Sequence, residues 1–333
     1  MKAFIKGISY YLPGSVLTNE QLVEEFPEWS AEKVGKKIGI RQRHIASESE
    51  TALDLAFHAS NKLFKENNID KGSIDFILFC TQSPDYFLPT TACLLQEKLG
   101  LSTRCGALDF NLGCSGFIYG LTLAKGLIIS GIAKNILLVT SETYSKHLHQ
   151  KDKGNRSIFG DAASATLVST EGFAEILQFS LGTDGRGATN LIVKSGAFRQ
   201  PNKTHEVDFD ESLNPVSEDF LYMNGSEILS FTLNSVPGLV KEILKNNSIG
   251  KEEIDLFVFH QANQYILEFL RKKIDIPSDR FYYYLENVGN TVSSTIPISL
   301  YEAIKDKSIQ QDMNVLLAGF GVGYSWGGCV IRF

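Results

Sequence analysis

Cysteine is scarce in this sequence: five residues in 333, namely Cys80, Cys93, Cys105, Cys114 and Cys329, odd in number and widely spaced, with no Cys-x-x-Cys pair. That pattern suggests neither a disulfide framework nor a zinc site. Most of these cysteines are expected to be small, reduced core residues. No long uncharged apolar run is present that could supply the roughly 20 residues a bilayer span needs. Lys6 stands where a secretory signal would need its apolar centre. Basic charge is short as well. The 32 Lys and Arg against 38 Asp and Glu leave a formal charge of −6, the reverse of a dedicated nucleic-acid binder. No low-complexity tract or Pro/Gly/Ser linker interrupts the chain. What remains is an ordinary globular mixture, 43% hydrophobic and 21% charged, long enough for one large domain or two ordinary ones. A cytoplasmic protein with no nucleic-acid or membrane partner is expected.

The two ends of the chain resemble one another. Residues 74–80, Ile-Asp-Phe-Ile-Leu-Phe-Cys, have a counterpart at 254–260, Ile-Asp-Leu-Phe-Val-Phe-His, at an offset of 180. Gly113-Cys114-Ser115 aligns with Gly289-Asn290-Thr291 at 176, and the run from Asn135 aligns with that from Asn314 at 179. A nearly constant offset argues for an internal duplication, with halves at 1–170 and 171–333. The repeated runs are short and apolar, as in strands buried on both faces. Helical patterns lie between them. One runs from Thr51, a candidate cap, to Phe64, and one from Gly116 to Ile129 is apolar nearly all round and is expected in the middle of the molecule. The fold class is therefore α/β, two packed units with mixed sheets covered by helices. The irregular stretch from Gly182 to Asn214 reads as a long loop region between the halves.

Cys114 sits between glycines, in Gly113-Cys114-Ser115-Gly116, at a predicted strand-to-helix turn. The free N–H groups and dipole of the following helix would favour a thiolate there. By residue pattern alone it is either a nucleophile or a core cysteine at a helix start. His260 closes an apolar run and is either a hydrogen-bonded structural histidine or a functional one. Asn290 alone is a turn asparagine, but the repeat would bring it across from Cys114 at a pseudo-twofold axis. The turn from Gly319 to Tyr324 lacks the spacing of a dinucleotide fingerprint and better suits backbone N–H groups offered to an oxyanion. His147 and His149 have no third ligand nearby and read as part of a solvated loop, and no metal site is expected. Phe159-Gly160-Asp161 reads as a structural turn.

Taken together, the segments Gly39-Ile40-Arg41-Gln42-Arg43-His44, Gly113-Cys114-Ser115-Gly116-Phe117, Phe159-Gly160-Asp161, His260-Gln261-Ala262-Asn263, Gly289-Asn290-Thr291 and Gly323-Tyr324-Ser325-Trp326-Gly327 resemble the thiolase-fold condensing enzymes. The resemblance is specifically to 3-oxoacyl-(acyl-carrier-protein) synthase III, across essentially the whole chain. It implies duplicated halves in an α-β-α-β-α layering, a homodimer, and no cofactor, since acyl-CoA and a malonyl thioester on acyl carrier protein are substrates. It also implies a Cys114–His260–Asn290 triad with backbone N–H groups of Cys114 and Val322 as oxyanion donors. A decarboxylative condensation follows, of the kind that starts fatty-acid synthesis. The same resemblance leaves room for a specialised or surface-glycan pathway, and the residues leave room for a cysteine thioesterase. No second cysteine stands in the Gly319–Gly323 turn, against a thiolase, and no catalytic glutamate of a hydroxymethylglutaryl-CoA synthase is placed.

Further positions follow from the resemblance. Trp29, Lys37, Lys153 and Asn263 would contact CoA or substrate, Lys153 standing where relatives carry an arginine. Leu88 occupies the place of an aromatic that crosses the dimer into the partner's acyl pocket. Arg271, Lys272 and Lys273 would dock an acidic carrier protein, with Tyr265 where some relatives have an arginine.

Overall fold

Alternation of buried side chains along each strand builds the layers. The computed structural model describes residues 1–211 and 214–333, so residues 212 and 213 of the irregular stretch lie outside the described residues. Nine strands form the main sheet: β1 (Phe4–Tyr11), β2 (Phe76–Cys80), β3 (Gly106–Phe110), β4 (Asn135–Glu142), β5 (Ala162–Ser169), β6 (Ala174–Thr183), β7 (Leu256–Phe259), β8 (Asn314–Gly321) and β9 (Ser325–Arg332). Their spatial order is β7-β8-β9-β6-β1-β5-β4-β2-β3. The helices are α1 (Asn19–Glu25), α2 (Ala31–Ile38), α3 (Ala52–Glu66), α4 (Thr91–Leu99), α5 (Gly116–Ile129), α6 (Lys153–Ile158), α7 (Gly225–Asn247), α8 (Gln264–Ile274) and α9 (Thr295–Lys305).

The ladder divides at a thin seam, where β1 and β6 share only the pairs Phe4–Glu175 and Ile5–Ala174. On one side, β2 is parallel to β3 and β4, while β5 is antiparallel to β4 and β1. On the other, β7 is parallel to β8, and β9 is antiparallel to β8 and β6. The same connectivity thus occurs twice. The place of β3 in the second set is taken by a single parallel bridge, Phe257–Phe281.

Because successive side chains point to opposite faces, each strand serves two cores. Leu78, Ile136 and Leu138 of the first set and Val258, Val315 and Leu317 of the second pack in one cluster with Phe117, Leu121 and Ala124 of α5 and Ile296 and Leu300 of α9. Ile77, Phe79, Leu137 and Val139 turn the other way, onto α3 and α4. Phe257, Phe259 and Leu316 turn onto α7 and α8. The result is helix, sheet, helix pair, sheet, helix, with α5 and α9 in the middle. The predicted cap of α3 is present: Thr51 accepts from Asp54 N, and the Asp54 carboxylate accepts from Thr51 N at 3.1 Å.

Two expectations need correction. The irregular stretch does not separate the strand sets, because β6 already belongs to the second set when it begins; composition marks irregular backbone but not where a sheet divides. And α5 is not buried all round: Leu123 and Ile129 are exposed, as are the nearby chain residue Ile132 and Leu181 of β6. Among the described residues no helix is long and apolar enough to cross a membrane.

Candidate active site

The ends of β2, β4, β7 and β8 converge where α5 and α9 begin, and a cavity of about 200 Å³ opens there. Cys114, His260 and Asn290 share its walls with Phe159, Phe320 and Gly321. The two turns related by the duplication therefore do meet. β8 ends against Cys114 so closely that a Cβ on Gly321 would lie 2.9 Å from the thiol Sγ, so only glycine fits. The backbone N–H groups of Cys114 and Val322 donate to no other described residue, that of Cys114 meeting its own thiol.

Cys114 stands two residues before α5, but its resting state is not the thiolate expected from the helix dipole. Its pKa is pushed up to about 12, first by burial and then by the charge of Glu142. Glu142 is itself pushed up to about 8 by burial, so it is mostly protonated at neutral pH and burial is the main cause. The histidine behaves in parallel. Buried at the end of β7, with its backbone N–H donating to Ala318 O at 2.8 Å, His260 has its pKa lowered to about 3 by burial. The resting pair is a neutral thiol and a neutral imidazole. Nδ1 of His260 lies 2.7 Å from Thr295 Oγ1, which leaves Nε2 as the polar edge of the ring on the cavity.

Asn290 is gripped from both sides. Its backbone N–H donates to Ile158 O at 2.9 Å, and its carbonyl accepts from Gly160 N at 3.0 Å. Oδ1 accepts from Val292 N at 2.9 Å, so the amide NH₂ is left for the cavity. Two left-handed residues shape this turn, Gly289 at φ 71° and Val292 at φ 55°. For a β-branched residue that is a strained conformation, held here by the Asn290 bond and by full burial.

A second cavity, of about 500 Å³, adjoins the first along Ile158, Asn263 and Tyr265. Trp29, Lys33 and Lys37 lie on its wall. Asn263 caps α8 by accepting from Ile266 N at 2.9 Å, so its side-chain oxygen is already engaged. Lys153 borders this cavity only through its neighbour Gly154 and pairs with Glu28 at 2.8 Å. Arg156, which the sequence reading passed over, holds Glu25 with both terminal nitrogens, at 2.6 and 2.9 Å.

Other candidates fall elsewhere. Leu88 is 81% exposed beside Phe87 and lines neither cavity. The basic cluster on α8 is smaller than it looks in sequence. Arg271 is spent on Glu268, at 3.0 Å, and on Ile276 O, at 3.0 Å, leaving Lys272 and Lys273 at the surface. Near them the rings of Tyr265 and Phe269 pack at a tilt of 56°, 4.7 Å apart, and line a cavity of about 320 Å³ with Lys36, Lys37 and Lys272. His147 is not in a solvated loop: its ring packs on Tyr144, and Nε2 lies 3.2 Å from Gln82 O. Asp161 is structural, accepting from Ala46 N, Ser145 N and Ser145 Oγ.

The residues the sequence reading missed are Glu142, Tyr144 and Thr295. Glu142 is fully buried, accepting from Gln82 N at 3.0 and 3.1 Å and from Ser83 Oγ at 2.9 Å. Its signal was available: a carboxylate ending an apolar strand, the same feature that drew attention to His260.

Residues 108–185 match the family described as 3-oxoacyl-[acyl-carrier-protein] synthase III, and residues 244–333 match its C-terminal part. The beta-ketoacyl-[acyl-carrier-protein] synthase III of Clostridium perfringens is 37% identical over 327 residues, covering 98% of each chain. A crystal structure of a 3-oxoacyl-(acyl-carrier-protein) synthase III superposes with TM-score 0.97 at 48% identity, covering 100% of both chains. That of a 3-oxoacyl-(acyl-carrier protein) synthase from Burkholderia xenovorans gives 0.91 at 37%, covering 100% of this chain and 94% of its own.

Proposed function

The chain belongs to the 3-oxoacyl-[acyl-carrier-protein] synthase III family, and on that premise we propose how its own residues carry out the condensation that begins fatty-acid synthesis. The single observation that carries the reading is the shared cavity, in which a thiol, an imidazole and an amide NH₂ face one another beside two backbone N–H groups that no other described residue uses.

Cys114 Sγ attacks the carbonyl of an acyl-CoA thioester, and the N–H groups of Cys114 and Val322 hold the oxygen that becomes negative. Collapse expels the CoA thiolate, which leaves with the proton the cysteine gave up. A malonyl thioester on acyl carrier protein then enters and loses carbon dioxide. Asn290 Nδ2 and His260 Nε2 donate to the enolate oxygen that forms; neutrality suits both, since a neutral donor holds an enolate without first protonating it. The enolate carbon attacks the acyl carbonyl, the Cys114 thiolate departs, and it regains a proton from solvent. The products are carbon dioxide and a 3-oxoacyl carrier protein.

The adjoining cavity, with Trp29, Lys33 and Lys37, suits the adenine and phosphates of CoA. Lys272 and Lys273, beside the exposed Tyr265–Phe269 pair, suit an acidic carrier. Exposed Leu88, Phe87, Leu123 and Ile129 support a homodimer, because monomers seldom leave that many large apolar side chains in water. Five free cysteines fit a cytoplasmic location. Intact-mass measurement after incubation with a panel of acyl-CoAs tests the reading. An adduct on Cys114 that malonyl-carrier protein converts to 3-oxoacyl product supports it; an adduct released equally fast by water alone marks a thioesterase.

A further inference from the structure

The enolate step proposed above needs an N–H on the cavity side of His260, and a neutral imidazole has only one to give. Which nitrogen carries it is set by what the other nitrogen touches. Two groups reach the ring: the hydroxyl of Thr295, 2.7 Å from Nδ1 and itself only 3% exposed, and the backbone of Val292. A hydroxyl owns one proton, and this one has a second acceptor within reach, Val292 O at 3.1 Å. If the proton goes to that carbonyl, Nδ1 must donate to Oγ1, and Nε2 presents a bare lone pair to the cavity. If it goes to Nδ1, Nε2 becomes a donor.

We propose that Thr295 is a positioning residue that gives its hydroxyl proton to Nδ1 of His260 and so holds the ring with its N–H on Nε2, facing the cavity. What favours this arrangement is the cost of the alternative, which would place the Nε2 lone pair against a developing oxyanion. Burial keeps the ring from holding both protons, with a pKa lowered to about 3, so the choice is forced. Thr295 is the first residue of α9, after the cap position Ser294, and its hydroxyl meets His260 Nδ1 and Val292 O. The inference rests on the condensation reading for the direction it assigns, and the labelled-histidine spectrum tests that direction independently of turnover.

Two measurements test it. In protein carrying 15N-labelled histidine, the His260 signal should show Nδ1 as an unprotonated acceptor and Nε2 as protonated; the opposite assignment overturns the proposal whatever the enzyme turns over. In kinetics, Thr295→Val should slow malonyl decarboxylation by about 10- to 100-fold, the range of a weakened oxyanion donor, while acylation of Cys114 changes little. Thr295→Ser, which keeps the hydroxyl, should restore it. Decarboxylation by Thr295→Val within about three-fold of the unaltered enzyme, or equal losses in both half-reactions with no rescue by serine, would reject the proposal. An unaltered enzyme that never decarboxylates would instead sink the condensation reading, and the labelled-histidine spectrum would still decide the tautomer.

Discussion

The two strand sets share one plan and use it for opposite purposes. At the end of β2 stands Cys80, and at the matching end of β7 stands His260. The turn before α5 holds Cys114, and the matching turn before α9 holds Asn290. β4 closes on Glu142, and β8 closes on Gly321. The first set therefore buries its thiol near a second thiol and a buried acid, and burial first, then Glu142, keeps Cys114 protonated. The second set contributes a ring, an amide and a strand end stripped of its side chain, so that backbone can lie against Sγ. One half carries the nucleophile and the other carries the side-chain donors. A duplicated scaffold allows this because matching strand ends point at one another across the central helix pair.

The sharpest way to break the comparison is to remove one cysteine from the first set. Cys114→Ala should abolish the acyl adduct and lower condensation by at least about 10³-fold, as loss of a nucleophile does. Cys80→Ala should keep the adduct, because Cys80 is fully buried and gives its thiol proton to Leu112 O. A label that maps to Cys80 would overturn the assignment of roles within that half.

The second set is tested by separating the half-reactions. His260→Ala and Asn290→Ala should each slow decarboxylation by about 10²–10³-fold and leave acylation of Cys114 within a few-fold. Stopped assays of carbon dioxide release and of adduct mass would show it. Equal losses in both steps would mean that the halves do not divide the work.

Opposite pH responses should distinguish the halves in stability. Burial raises the Glu142 pKa from 4.5 to about 8, so in that window the folded chain holds a proton that the unfolded chain has released, and stability falls as pH rises. Burial lowers the His260 pKa from 6.5 to about 3, so its contribution is present above 6.5 and is lost as pH falls toward 3. Urea unfolding should show Glu142→Gln removing a fall in stability between pH 4.5 and about 8, and His260→Gln removing a rise between about 3 and 6.5, each on the order of 1 kcal/mol per pH unit within its window. A Glu142→Gln profile parallel to that of the unaltered protein would mean that the carboxyl titrates normally.

The smallest effect is expected at the surface. Lys272→Glu with Lys273→Glu should slow transfer from malonyl-carrier protein by about 3- to 10-fold at low ionic strength, and less as salt screens the charges. Loading of Cys114 from acyl-CoA should be unchanged. A loss that persists at high salt would point to the apolar Tyr265–Phe269 pair instead.

Much of this was already written in the chain. Short apolar runs repeated at a nearly constant offset marked buried strands in two similar halves, because a strand buried on both faces must be apolar at every position; their order in the sheet came only with the structure. Cys114 and His260 stood out for the same reason, as reactive side chains at the ends of such runs. Asn290 became legible only through the repeat. What the sequence alone could not determine depends on groups brought from far along the chain. Whether Cys114 rests as thiol or thiolate is settled by how little water reaches the cavity and by Glu142 at its side. The freedom of Arg271 was lost to a glutamate one helical turn away and to the Ile276 carbonyl. Local pattern dictates which residues must be buried; only tertiary packing decides what each of them is buried against, and with it the charge, tautomer and reach of the groups that do the chemistry.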